Sequence, residues 1–222
     1  MRLAGAVLCG SLLSASALVS AGQGAGMSAQ ELAQRVDRHY DTLHSLTANF
    51  QESYEGLGMK RVESGTLLVS KPGRMKWEYG SPAGKLFLLD GKYAWFYTPG
   101  NPQVQRIPAK ELDDLRSPLR FLLGHTELEK ELSGLHEAPG AAGSGEKVLI
   151  GQPKGQEKRV SRVTLAIDPA TYAIAAMEID ETDGAITRFT FTDQKPDVPM
   201  PADTFRFRAP AGVEVVDAPP PV

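Results

Sequence analysis

Between residues 74 and 79 the sequence alternates without a break: Met75, Trp77 and Tyr79 are apolar or aromatic, while Arg74, Lys76 and Glu78 are charged. Successive side chains of a strand point to opposite faces, so such a run must bury one face and wet the other. The same period of two recurs along the chain. Leu46, Ala48 and Phe50 alternate with polar neighbours, and Gly65 to Ser70 is β-like, with Lys71-Pro72-Gly73 as the turn that follows. Lys85 to Leu89 and Tyr93 to Thr98 flank Asp90-Gly91-Lys92 as a hairpin, which Pro99-Gly100-Asn101-Pro102 ends. Lys147 to Ile150, Val160 to Asp168, Ile174 to Asp180 and Ile186 to Thr192 read as further strands, and Phe205 and Phe207 are expected to begin the last one. Short strands at this spacing predict a mainly β, α+β fold: one antiparallel sheet curled into a barrel or half-barrel.

Two helical segments interrupt the strands. Ser28 with Glu31 three residues on forms a capping box ahead of Leu32, Val36, Tyr40 and Leu43, which recur at helical spacing. In the middle of the chain, Leu112 and Leu115 precede Ser117-Pro118, and Leu119, Phe121, Leu122 and Leu123 run to Gly124. Both segments are one-sided and need an apolar surface to lie on; they are available to cover the concave side of a curled sheet, whose interior either its own side chains or a ligand must fill. Ala138 to Gly145 is a linker of small residues.

Met1 to Ala21 has the features of a secretory signal peptide: Arg2, an apolar stretch from Leu3 to Val19, and small residues at Val19-Ser20-Ala21. Its glycines and serines argue against a membrane anchor. Cys9, the sole cysteine, lies inside that stretch, so the mature chain is expected to carry no thiol and to suit an oxidising compartment. The net charge is −3 and no basic tract occurs, which disfavours nucleic acid as a partner.

The residues offer little for catalysis or metal binding. His39, His44, His125 and His136 have no helical zinc spacing, and Gly143-Ser144-Gly145 lacks the outer glycines of a nucleophile elbow. Glu146 stands where a phosphate loop needs lysine, and Asp113-Asp114 and Asp180-Glu181-Asp183 read as solvated acidic turns or helix ends. No catalytic residue, cofactor or metal ligand is expected. An exported hydrolase is disfavoured; an exported structural domain of the envelope stays open.

Three blocks carry a resemblance. The first is Gly65-Thr66-Leu67-Leu68-Val69-Ser70-Lys71-Pro72-Gly73-Arg74-Met75-Lys76-Trp77, the second Asp90-Gly91-Lys92-Tyr93-Ala94-Trp95-Phe96-Tyr97-Thr98-Pro99. The third is Phe205-Arg206-Phe207-Arg208-Ala209-Pro210-Ala211-Gly212-Val213-Glu214-Val215. In this order, behind the opening helix, they resemble the LolA family, periplasmic carriers of bacterial lipoproteins. The resemblance implies a carrier domain over residues 22–217, followed by a Pro-rich tail at 218–222, and an unclosed antiparallel barrel with a helical lid over a hydrophobic cavity. It implies acyl-chain contacts at Phe50, Met75, Trp77, Tyr79, Leu88 and Leu122. The family's basic lid latch falls on Lys71, where many members have Arg, and Arg74 is the alternative. Implied partners are lipoproteins, an ATP-driven (ABC-type) inner-membrane transporter that loads the carrier and an outer-membrane receptor that unloads it, with the carrier working as a monomer. A carrier or sensor for another envelope lipid on the same scaffold is the alternative reading.

Overall fold

The computed structural model describes residues 27–113, 127–139, 145–201 and 203–217. The signal-peptide and tail readings, Leu122 and all but the first residues of the Leu112–Leu123 segment lie outside them. Helix α1 (Ala29–Thr42) opens the fold. Its capping box is formed: Glu31 N donates to Ser28 Oγ at 3.2 Å, and Ser28 N donates back to Glu31 Oε2 at 3.0 Å, satisfying two backbone donors that a helix start leaves free. Leu32, Ala33, Val36 and Tyr40 form its buried stripe.

Among the described residues, twelve strands follow in one sheet: β1 (Ser45–Gly56), β2 (Met59–Ser70), β3 (Arg74–Ser81), β4 (Ala83–Asp90), β5 (Tyr93–Tyr97), β6 (Gln103–Pro108), β7 (Leu132–Ala138), β8 (Lys147–Pro153), β9 (Val160–Ile167), β10 (Ile174–Glu181), β11 (Ile186–Pro196) and β12 (Glu214–Asp217). Their order is β12-β6-β5-β4-β3-β2-β1-β11-β10-β9-β8-β7. The sheet is unclosed, and all its neighbours are antiparallel except β12, which runs parallel to β6 with Val215 beside Val104. Among the described residues, two short helices, α2 (Ala109–Asp113) and α3 (Leu128–Glu131), lie between β6 and β7. The core is the inner face of the sheet, with the apolar stripe of α1 packed into it.

The alternating runs became strands where expected, but three elements differ. Phe205 and Phe207 begin no strand. The ring of Phe207 lies flat on Trp95 (centroids 4.6 Å apart, 15° between planes), and Phe205 is buried under the guanidinium of Arg74 at 5.3 Å. Local turns take up backbone donors of this stretch, Thr204 N–H to Pro201 O at 3.1 Å and Arg206 N–H to Asp203 O at 3.0 Å, so its aromatic side chains cover the outer face while the pairing is deferred to β12. Strand β6 was not legible because Val104 and Ile107 are three apart and Pro108 follows at once. Strand β7 is not legible in the sequence because its register shifts between Ser133 and His136, around Gly134 at φ 64°, which breaks the period of two.

Candidate functional site

Cross-strand register arranges the inner face in rows. One row reads Leu46, Val69, Met75, Leu89, Ala94, Ile107 across β1 to β6. The next reads Ala48, Leu67, Trp77, Phe87, Phe96 across β1 to β5. The third joins Phe191 of β11 to Phe50, Gly65 and Tyr79. Gly65 is required there: a Cβ at this position would sit 2.1 Å from the carbonyl oxygen of Glu78, so only glycine lets β3 approach β2 so closely.

Trp77 is the centre of this face. Its ring meets Phe50 edge-on at 4.6 Å and Phe189 at 5.4 Å, and its indole N–H donates to Met75 Sδ at 3.0 Å. Phe50, Met75 and Trp77 are each only 3% exposed. A buried indole needs a partner for its N–H, and the methionine sulfur supplies it without bringing charge into the core. Tyr79, half-buried, packs its edge on Phe50 at 5.0 Å and donates its hydroxyl to Glu52 Oε2 at 2.9 Å. Burial and the neighbouring carboxylate push the phenol's pKa well up, so it stays a proton donor.

Leu88 does not share this face. It pairs with Lys76 on one side and Trp95 on the other, both on the outer surface, whereas its neighbours Phe87 and Leu89 point inward. A one-residue step along a strand reverses the face, and Leu88 is buried by its outer neighbours instead. Phe189 and Phe191, read as strand residues without a role, complete the aromatic group; the alternation of β11 carried that signal.

The two latch candidates separate cleanly. Lys71 Nζ donates to the carbonyl oxygen of Tyr40, in the last turn of α1, and its backbone N–H donates to His44 O at 2.9 Å. Burial lowers the lysine's pKa, partly offset by Asp41 and Asp197. Arg74 instead donates to Ser70 Oγ at 2.9 Å and lies over Phe205. Three more polar contacts hold α1: the backbone N–H of Ile174 donates to the Tyr40 hydroxyl at 3.0 Å, Arg35 reaches the Tyr172 hydroxyl at 3.2 Å, and the Asp37 carboxylate accepts the Leu128 N–H at 3.0 Å.

Among the described residues no group of three or more His, Cys, Asp or Glu could hold a metal ion, and no helix is long and apolar enough to cross a membrane. His44 lies 3.5 Å from Asp197, His136 Nδ1 lies 2.8 Å from Gly134 O, and His125 is outside the described residues.

The architecture is that of an open antiparallel half-barrel whose apolar inner face is covered by an amphipathic helix. The family model of the outer membrane lipoprotein carrier protein LolA matches residues 41–208. An outer-membrane lipoprotein carrier protein of Chromobacterium violaceum is 31% identical over 201 residues, covering 90% of this chain and 94% of the relative. One from Dechloromonas aromatica is 28% identical over 190 residues, 82% of this chain and 86% of the relative. Among solved structures, an uncharacterized conserved protein from Thermus thermophilus shares the fold, with a TM-score of 0.56 at 14% identity over 86% of this chain and 99% of that one. The chain belongs to the LolA family.

Proposed function

We propose that this protein carries lipoproteins across the periplasm, binding their acyl chains against the inner face that α1 covers. As a LolA member it belongs to carriers rather than enzymes. The observation that carries the reading is that the aromatic face around Trp77 and the apolar stripe of the separate helix α1 belong to one buried core, so the interior is satisfied when empty and opens when α1 moves.

The energetics favour such an arrangement. Acyl chains gain about 0.8 kcal/mol per buried CH₂. Sealing several long chains into a preformed dry cavity would sum far beyond the affinity of any reversible complex. Displacing Leu32, Val36 and Tyr40 offsets most of that gain, because one apolar contact replaces another. Met75, Trp77 and Phe50 are the lining we assign to the chains, with Tyr79 at its edge. Lys71 is the latch: its hydrogen bond to the Tyr40 carbonyl closes the barrel onto α1 in the empty state. Loading by an ATP-driven inner-membrane transporter and unloading at an outer-membrane receptor complete the proposed cycle.

The test is release. Spheroplasts incubated with the mature protein should lose newly made lipoproteins to the supernatant, and native mass spectrometry of the recovered protein should show a triacylated peptide bound. Lipoproteins that stay in the membrane, or a bound glycolipid in place of the peptide, would overturn the reading.

A further inference from the structure

The inner face does not stay apolar to its end. Two residues beyond the Phe50 and Tyr79 row, β1 and β2 place Glu52 opposite Glu63, both buried. Each is engaged. Arg61 lies 3.5 Å from Glu52 and 3.4 Å from Glu63, Lys85 Nζ contacts Glu63, and the Tyr79 hydroxyl donates to Glu52. Lys85 Nζ also sits 4.2 Å from the centre of the Tyr79 ring, and Arg61 lies over Tyr54 at 5.5 Å. Along β1 to β4 the interior therefore passes from aliphatic, through aromatic, to a layer of two carboxylates and two cations. Tyr79 straddles the boundary, ring toward Phe50 and hydroxyl toward Glu52.

We infer that this ion-paired layer is the floor of the acyl site and sets the length of chain it accepts. The inference rests on the carrier reading above. A terminal methyl advancing past Tyr79 would have to part buried charges from their partners and leave them uncompensated, which costs far more than one methylene gains. The layer is also a poor seat for the polar end of a cargo, because its donors and acceptors are already engaged with each other. The chain therefore lies with its methyl end at Phe50 and Tyr79 and its polar end toward the Lys71 side of the barrel.

The experiment uses N-acylated peptides that differ only in chain length, bound to the full mature protein. In the wild type, affinity rises with each methylene until the chain reaches Tyr79 and then stops rising. The pair Glu52→Met with Tyr79→Phe leaves Arg61 and Lys85 on Glu63; the pair Glu63→Met with Lys85→Met leaves Arg61 on Glu52. Replacing a buried ion pair by apolar side chains of like size is often tolerated. Each double variant should move the break to chains longer by several carbons, since one further inward position along a strand adds about 6.7 Å. In the wild type alone, bromine on the terminal carbon of a break-length chain should quench the fluorescence that Trp77→Phe removes, and bromine beside the peptide should not. A break unmoved in both variants, no break in the wild type, or quenching only from the peptide end overturns the inference while the carrier reading stands. A wild type that takes up no acylated peptide of any length overturns both.

Discussion

The side chain of Lys71, at the β2–β3 turn, donates a hydrogen bond to the backbone carbonyl of Tyr40 near the end of α1. The Tyr40 carbonyl also accepts the backbone N–H of Leu43 at 3.1 Å, and because the last carbonyls of a helix carry the negative end of its dipole, an ammonium group is a favourable second partner there. The bond joins a sheet turn to a helix end without any side-chain acceptor, which leaves the lysine's reach as the only variable.

Lys71→Leu should therefore loosen α1. A hydrogen bond from a charged donor contributes about 1.5–3 kcal/mol, less here because water can replace it at the half-exposed end. Amide hydrogen exchange in residues 36–43 should quicken, and the variant should retain cargo that the wild type gives up, having lost the contact that favours the empty form. Unchanged exchange and normal transfer would remove Lys71 from the latch role.

Trp77→Ala should cost about 3–5 kcal/mol in urea unfolding, the range for deleting a large ring from a packed core. The ring's edge contacts with Phe50 and Phe189 place it in that class. A loss below about 1 kcal/mol would mean the surrounding side chains collapse freely into the space.

Asp37 gives the protein a pH-dependent term. Burial raises its pKa from the ordinary 3.8 to about 6, with Asp41, Glu127 and Glu129 adding to the rise and the Leu128 N–H opposing it. The folded state thus holds this proton more tightly than the unfolded chain. The contribution to stability is complete below pH 3.8 and is lost as pH rises through about 6. Asp37→Asn keeps an acceptor for Leu128 and removes the charge, so its advantage over the wild type should grow between those two values and stay flat above them. Parallel stability curves for the two proteins would show that Asp37 does not carry the effect.

Leu57 occupies the β1–β2 turn at φ 51° beside Gly58 at φ 77°, and it is 77% exposed. Two consecutive left-handed residues are the signature of a tight hairpin turn that favours Asn-Gly. Leu57→Asn should stabilise the fold by about 0.5–1 kcal/mol, read as a higher Tm. A drop in Tm would show that the leucine makes contacts in solution beyond the hairpin.

Much of the architecture was legible because one physical rule wrote it. Wherever Met75, Trp77 and Tyr79 or Leu46, Ala48 and Phe50 alternate, burial of one face determines both the strand and its register. The capping box at Ser28 and Glu31 was legible for the same reason, being local. Leu88 failed because hydrophobicity alone does not say which face a residue serves; counting by twos from Leu89 places it outward. The inward placing of Glu52 and Glu63 is not legible from residue type, since acidic residues in strands read as solvent-facing, although the parity of Leu46, Ala48 and Phe50 points Glu52 inward. The stacking of Phe207 on Trp95 depends on distant segments meeting, which no local pattern encodes.

Strand β1 lies near the middle of the sheet, with β2 to β6 and then β12 on one side and β11 back to β7 on the other. The two arms are stitched together in the sheet only where β1 meets β11, as in the pairing of Phe50 with Phe191. That seam joins residues 46–55 to residues 186–196, so the two arms meet only through the pairing most distant in sequence among the antiparallel ones. Phe50 and Phe191 stand 141 positions apart in the chain, and closure over so long a span is slow.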